Sequence, residues 1–151
     1  TFFKLKPPLR SESDRLATIE AVRDGTIDIV SSMHTPQDEE SKRLPFEEAA
    51  SGAIGLETIL TAMLRLYHSN QLQMDQIFTA ISLNPAKRLG ISGGSLSHNE
   101  PADLVIFDAD KPLILERERL HSKVKNTPFD GQKLQGRVLK TYVQGREVFS
   151  L

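Results

Sequence analysis

The sequence contains no cysteine, which excludes disulfides, thiol nucleophiles and cysteine-based zinc sites. It also lacks an excess of either charge: 19 basic and 20 acidic side chains leave a formal net charge of −1. This balance argues against nucleic acid or a membrane surface as a partner. No apolar run reaches the roughly 18 residues of a membrane span, since Glu57 and Arg65 break the stretch over 53–67. Without a signal peptide at its start, the chain is expected in the cytoplasm.

The length and composition are those of a modest globular domain. The 151 residues, of which 38% are hydrophobic, are enough for one domain or for a small domain with an appendage. The chain begins with Thr-Phe-Phe rather than with Met. We therefore expect it to be part of a longer protein.

The first third of the chain has the order of an α/β unit. Ser11 and Asp14 stand in the positions of a capping box, and Gly25 stands where a glycine would end the helix that Ser11 begins. A short β-branched run follows, and then a polar loop. This order predicts a helix and then a buried strand over 27–32, with Met33 at its carboxyl end.

Helices dominate up to residue 90, and β-structure dominates after it. Apolar residues at helical spacing predict one helix from about Leu56 to Tyr67 and another from Asp75. Pro85 suits the first turn of a short helix that stops at Gly90. Beyond this point glycine, proline and serine separate short β-like runs at 103–108, 113–115, 137–143 and 146–149. The last two are predicted to pair as a hairpin across Gln144-Gly145.

Several motifs together resemble those of one family. They are Lys4-Leu5-Lys6-Pro7-Pro8-Leu9-Arg10, Pro45-Phe46-Glu47-Glu48-Ala49, Asn84-Pro85-Ala86, Pro101-Ala102-Asp103-Leu104-Val105 and Lys125-Asn126-Thr127-Pro128-Phe129. In this order they resemble the C-terminal part of dihydroorotase, of the amidohydrolase superfamily. The resemblance implies an α/β fold: a zinc-bearing (β/α)₈ TIM barrel with a small β-sandwich domain. A whole barrel takes about 250 residues. Residues 1–90 would then be the last barrel strand with flanking helices, and residues 91–151 part of the sandwich.

The resemblance also implies an activity and a site. Dihydroorotases are zinc-dependent hydrolases that interconvert N-carbamoyl-L-aspartate and L-dihydroorotate in de novo pyrimidine biosynthesis, and an Asp at the end of the eighth strand moves the proton. The family pattern Asp-His-Ala-Pro-His reads Met33-His34-Thr35-Pro36-Gln37 here. Met33 takes the place of the catalytic Asp, although a thioether cannot accept that proton. His34 would lie at the barrel mouth, and Gln37 replaces a substrate-binding His.

Three further residues are candidates for substrate contact through the same resemblance. Lys6 stands where the family has a substrate-side Asn. Gly52 and Gly55 flank a stretch whose backbone amides lie near the substrate in the family, although small residues suit a helix start equally well. No two of the four histidines have the spacing of metal ligands. We therefore expect no zinc to bind the chain by itself.

Two hypotheses about function follow. In the first, the chain is part of a dihydroorotase-like cyclic amide hydrolase with a small-molecule substrate, and it is inactive alone. In the second, suggested by Met33 and Gln37, it is a non-catalytic homologue that acts as a structural partner of aspartate carbamoyltransferase. Because an incomplete barrel leaves strand edges and apolar faces uncovered, a homo-oligomer or a large apolar patch is also expected.

Overall fold

The computed structural model describes all 151 residues, from Thr1 to Leu151. The helices are α1 (Glu12–Arg23), α2 (Glu39–Arg43), α3 (Ile59–His68), α4 (Met74–Phe78) and α5 (Asn84–Leu89), with a π-helical segment at Thr79–Leu83 and a 3₁₀ turn at Arg117–Arg119. The strands are β1 (Leu104–Ile114), β2 (Lys133–Val143) and β3 (Arg146–Ser150). Helices and irregular segments therefore form the first part of the molecule, and an antiparallel sheet forms the second.

The local signals at the first helix are confirmed. The Ser11 hydroxyl accepts the Asp14 backbone N–H at 3.2 Å, and the Asp14 carboxylate accepts the Ser11 N–H at 3.2 Å. This reciprocal pair satisfies two amides that the first helical turn leaves without partners. The helix ends at Arg23, and Gly25 follows with a left-handed φ of 82°.

The helical run over 74–89 changes its hydrogen-bond spacing just before Pro85. Asn84 donates its backbone N–H to the Thr79 carbonyl, five residues back, so the turn there is wider than an α-helical turn. Pro85 has no N–H with which to continue the ordinary ladder. It lies in the first turn of α5, and Gly90 ends that helix in the left-handed conformation with φ 65°. The predictions that Pro85 lies in the first turn of a short helix and that this helix stops at Gly90 are both confirmed.

The sheet has the order β1-β2-β3 and is antiparallel throughout. The predicted hairpin is present: Val143 pairs with Arg146 across Gln144 and Gly145, which both have positive φ (49° and 76°). The runs predicted at 103–108 and 113–115 belong to one strand, β1, whose register shifts between Asp108 and Pro112.

The prediction of a buried strand over 27–32 is wrong. No residue in this range belongs to a strand, and Ile29 is 37% exposed. The amide of Val30 in this segment bonds to the Ala80 carbonyl at 3.0 Å. A parallel strand needs neighbours that are distant in sequence. This chain supplies only one isolated parallel bridge beside the segment, between His34 and Ala53.

Helix α3 packs against β2 and joins the two parts of the molecule. Leu64 of α3 is fully buried, and its side chain occupies the space in which a Cβ at Gly136 of β2 would lie. Phe78 and Phe107 add an aromatic contact with ring centroids 5.5 Å apart. The buried apolar cluster beneath α3 is small and consists of Ile19, Met63, Leu72 and Ile77.

The molecule exposes more surface than a folded chain of its size normally does. Its accessible surface is 10184 Å² at a mass of 16.9 kDa. A monomer of this mass is expected to expose about 7,700 Å². Large apolar side chains contribute to this surface, and six of them lie on the sheet: Val105, Ile106, Ile114, Val143, Val148 and Phe149. None of the helices combines the length and the apolar character needed to cross a membrane.

Candidate functional site

An apolar cleft of about 300 Å³ lies beside the start of α3. Its walls are five segments of chain: residues 5–7, residues 30–33, residues 52–55, the first turns of α3 and residues 128–129. Lys6, Met33, Gly52 and Gly55 all line it. The structure therefore brings four of the six predicted site residues into one cavity.

Met33 lines this cleft in an unusual backbone conformation. Its φ is 43° and its side chain is largely solvent-accessible, with 60% of the residue exposed. Among residues other than glycine, Asp, Asn and His are the ones enriched in the left-handed region. The backbone here therefore suits a short polar side chain better than methionine. The thioether offers no group that could take a proton from a substrate or a water molecule.

His34 lies behind the cleft rather than in it. Its Nδ1 accepts the backbone N–H of Gly55 at 3.0 Å and that of Leu56 at 3.4 Å. The lone pair on Nδ1 is thus directed at the glycine loop, and that nitrogen is not available as a ligand. His34 ties the segment after residue 33 to the loop that precedes α3.

Gly52 and Gly55 are required by the close approach of that loop to the 32–35 segment. A Cβ at Gly52, where φ is 130°, would lie 2.7 Å from the Thr35 side chain. A Cβ at Gly55 would lie 2.6 Å from the Ser32 carbonyl oxygen. Any larger residue would push the two walls apart.

Gln37 lies outside the cleft. Its Nε2 donates to the Ser51 carbonyl at 3.2 Å, and its backbone N–H donates to Asn126 Oδ1 at 3.4 Å. It borders a separate polar cavity of about 240 Å³. The structure does not bring Gln37 to the other predicted residues, and its role toward substrate stays a prediction.

Two buried polar residues that hold the cleft walls were not predicted as site residues. Asn126 is 2% exposed, and its Nδ2 donates to the carbonyls of Thr35 (3.4 Å) and Gly52 (3.3 Å). Its own carbonyl accepts the Ile54 N–H at 3.1 Å. Lys42 is 1% exposed and also reaches the Gly52 carbonyl, at 3.1 Å. The 125–129 motif marked Asn126 as part of a family pattern, whereas no sequence signal marked Lys42.

A model of the amidohydrolase family matches residues 5–148, nearly the whole chain. The chain belongs to the amidohydrolase family. Proteins named dihydroorotase are similar to it: one from Wolbachia sp. subsp. Drosophila simulans is 41% identical over 147 residues, and one from Lactococcus lactis subsp. lactis is 42% identical over 147 residues. These matches cover 97% of this amidohydrolase chain, but 33% and 34% of the relatives. The chain thus spans about a third of their length.

Solved structures show the same fold over the same share of chain. An L-hydantoinase (dihydropyrimidinase) from Arthrobacter aurescens superposes with a TM-score of 0.91 at 31% identity. The match covers 97% of this amidohydrolase chain and 34% of the hydantoinase. A D-hydantoinase from a Bacillus sp. gives a TM-score of 0.89 at 25% identity. The arrangement of helices and sheet is therefore that of the matching third of an amidohydrolase.

Amidohydrolases are generally metal-dependent, but this chain does not provide a complete set of metal ligands. No three His, Asp or Glu side chains lie close enough together to share an ion. His68 bonds through Nε2 to the Ala109 carbonyl at 3.0 Å, and His121 contacts the Glu57 carboxylate at 2.9 Å. With His34 Nδ1 facing the glycine loop, the residues present do not fit a metal centre built by this chain alone.

Proposed function

We propose that this chain forms one wall of the substrate cleft of a dihydroorotase-like cyclic amide hydrolase, which interconverts N-carbamoyl-L-aspartate and L-dihydroorotate in pyrimidine biosynthesis. One observation carries the proposal. The 31–33 segment and the 52–55 glycine loop line a single cavity, in a chain about 40% identical to proteins named dihydroorotase.

The chain's own residues suggest how this wall binds substrate. Lys6 places an ammonium group at the cleft, where it can attract the carboxylates of N-carbamoyl-L-aspartate and L-dihydroorotate. The glycine loop allows close approach of backbone to ligand. Met33 leaves the wall without a general base, so hydrolysis is expected to be slow while methionine occupies this position.

The architectural part of the proposal concerns the barrel. Residues 1–90 contribute the last strand of a TIM barrel and its flanking helices, and residues 91–151 contribute to a β-sandwich. The 27–32 segment supports this assignment, because its sequence is rich in β-branched residues but it forms no strand with the residues of this chain. The surplus of exposed surface supports it as well. A cytoplasmic location and zinc in the complete enzyme belong to the same proposal.

A second candidate function follows from Met33 and Gln37. A homologue without a proton acceptor could act as a structural partner of aspartate carbamoyltransferase, or it could assemble with copies of itself. Mixing the purified chain with aspartate carbamoyltransferase and measuring the mass of the complex by light scattering tests this alternative. Co-elution of the two proteins, together with no affinity for L-dihydroorotate, would favour it over the hydrolase.

The hydrolase is tested by ligand binding and by activity. L-Dihydroorotate added to the ¹⁵N-labelled chain should shift the amide resonances of Gly52 and Gly55, whereas uracil, which has no carboxylate, should not. The longer polypeptide that contains this chain should hydrolyse L-dihydroorotate poorly. Met33→Asp in that polypeptide should raise the rate by about 10²–10⁴-fold, and Met74→Asp serves as the control. Rapid turnover with Met33 in place would contradict the assigned role of this position.

A further inference from the structure

Lys42 is a fully buried lysine whose ammonium group is surrounded by backbone carbonyls. Its Nζ donates to the carbonyl oxygens of Ala50 at 2.8 Å, Gly52 at 3.1 Å and Lys4 at 3.2 Å. An ammonium group has three donors, and each of them has one acceptor here. A buried charge is tolerated only when its hydrogen bonds are made, so this geometry requires all three carbonyls to stay in place.

The three carbonyls belong to two adjoining segments, each of which continues into a wall of the cleft. Residues 50–52 lead into the glycine loop, and Lys4 directly precedes the 5–7 segment. Gly52 also donates its backbone N–H to the Lys4 carbonyl at 2.9 Å. The ammonium of Lys42 and the amide of Gly52 therefore converge on one oxygen, and the two walls are joined at this point.

The Lys42 side chain touches neither the cavity nor a carboxylate. It is absent from the cleft lining, and its acceptors are peptide oxygens only. Lys42 lies on helix α2. Asp38 caps this helix by accepting the Ser41 N–H at 2.8 Å. Burial, with a smaller contribution from the charge of Lys4, lowers the pKa of Lys42 below that of an ordinary lysine. Its position is that of a spacer and not of a reactive group.

We propose that Lys42 is a positioning residue that sets the separation between the Lys6 wall and the Gly52 wall of the cleft. Its effect on the walls follows from geometry alone. Its effect on ligand affinity rests on the proposed function, because that function supplies the ligand. Removing the ammonium group should loosen the glycine loop and weaken binding, while the sheet stays intact.

Lys42→Met tests this by deleting the donors while keeping most of the apolar stem. The exposed Lys87 at the end of α5 provides the matched control, Lys87→Met. Loss of a hydrogen bond of about 1–1.5 kcal/mol corresponds to roughly ten-fold faster opening. We expect the Gly52 amide to exchange with solvent about ten-fold faster in Lys42→Met, and the β2 amides to exchange at the original rate. The affinity for L-dihydroorotate should fall in Lys42→Met and stay unchanged in Lys87→Met.

The outcomes distinguish the positioning role of Lys42 from the proposed hydrolase function. Unchanged exchange at Gly52, or equal acceleration of every amide, would overturn the positioning role. Faster exchange at Gly52 in a chain that never binds L-dihydroorotate would uphold the positioning role and contradict the proposed function. If Lys42→Met does not fold, the unmodified chain still decides the question by NMR. The Lys42 ammonium protons should exchange far more slowly than those of Lys87, and equal rates would refute the proposal.

Discussion

The cleft region and the sheet are built on different kinds of contact. In the sheet, β2 and β3 are joined by a two-residue turn, and their backbone bonds link residues close in sequence. The cleft walls are held by side chains that reach across long stretches of chain: Asn126 to Thr35, Lys42 to Lys4 and His34 to Gly55. The backbone around Met33 forms no strand at all.

This difference explains which region forms regular strands in this chain. Antiparallel strands need no long crossover connection, so β1, β2 and β3 pair with one another within this chain, with register shifts in β1. A parallel strand obtains its partners from distant segments. The 27–32 segment forms no strand without them, and it is held instead by isolated bonds, from the Asn84 side chain to the Asp28 carbonyl and from the Val30 N–H to the Ala80 carbonyl. We expect the two regions to respond differently to mutation.

The largest effect is expected where the two regions meet. Gly136→Ala places a Cβ against the buried Leu64 side chain at a φ of 100°. Strain and overpacking together should lower the free energy of unfolding by about 2–4 kcal/mol, measured by urea denaturation. Gly25→Ala is the control, because its φ of 82° is strained but nothing lies within 4 Å of the added Cβ. Equal losses in the two variants would show that Leu64 does not limit the space at Gly136.

The next effect should remain within the cleft region. Asn126→Ala removes the amide that serves Thr35, Gly52 and Gln37. Loss of these bonds, with the Gly52 carbonyl keeping only its bond from Lys42, should cost about 1–3 kcal/mol, with faster hydrogen exchange over 35–54 and unchanged exchange in β2. Asn84→Ala, which loses a single bond to the Asp28 carbonyl, should cost less. Uniform acceleration in Asn126→Ala would mean that the two regions unfold as one unit.

A pH effect is expected at the link between α3 and the 120–122 turn. Burial alone would raise the pKa of Glu57, but hydrogen bonds from the backbone of His121 and Ser122 and from the His121 ring lower it overall. The stability that Glu57 contributes is therefore present above its ordinary pKa of about 4.3 and is lost as the pH falls through the lower folded-state value.

The pH effect is measured as the midpoint of urea unfolding between pH 7 and pH 3. Glu57→Gln should flatten the acidic limb of this profile relative to the unmodified chain. Glu48→Gln serves as the control, because Glu48 is exposed and its carboxylate makes no hydrogen bond. If both variants follow the original profile, Glu57 does not contribute to acid sensitivity.

The smallest effect concerns the strained residue of the cleft. Met33→Asn should raise the free energy of unfolding by up to about 1 kcal/mol, because asparagine adopts the left-handed conformation more readily. Met74→Asn, in the first turn of α4, should bring no such gain. A loss of stability at position 33 in thermal unfolding would indicate that the methionine side chain packs favourably despite its exposure.

The features that the sequence predicted correctly are those with a local cause. The Ser11 cap, the Gly90 helix end and the Gln144-Gly145 turn each depend on residues within a few positions of one another. The strand over 27–32 was predicted from its β-branched residues, but strand pairing depends on distant segments. Local composition contains no information about whether such segments are present.

The candidate site was predicted only in part. Lys6, Met33, Gly52 and Gly55 were placed by the family resemblance, and they meet in one cavity. Lys42 was missed because it occurs in a run of charged residues, Glu39–Arg43, that is typical of a solvated helix. Its burial becomes visible only when the carbonyls of two distant segments converge on it.

The two-residue turn at Gln144 and Gly145 also has a consequence for the order in which the molecule folds. A hairpin of this kind closes in about 1–10 μs, since its strands adjoin in sequence. The contact between Asn126 and Thr35 spans 91 residues, and closing so long a loop costs chain entropy before any hydrogen bond is gained. The sheet should therefore be present before the cleft closes. Pulse-labelling during refolding should protect the amides of β2 early and that of Gly52 late.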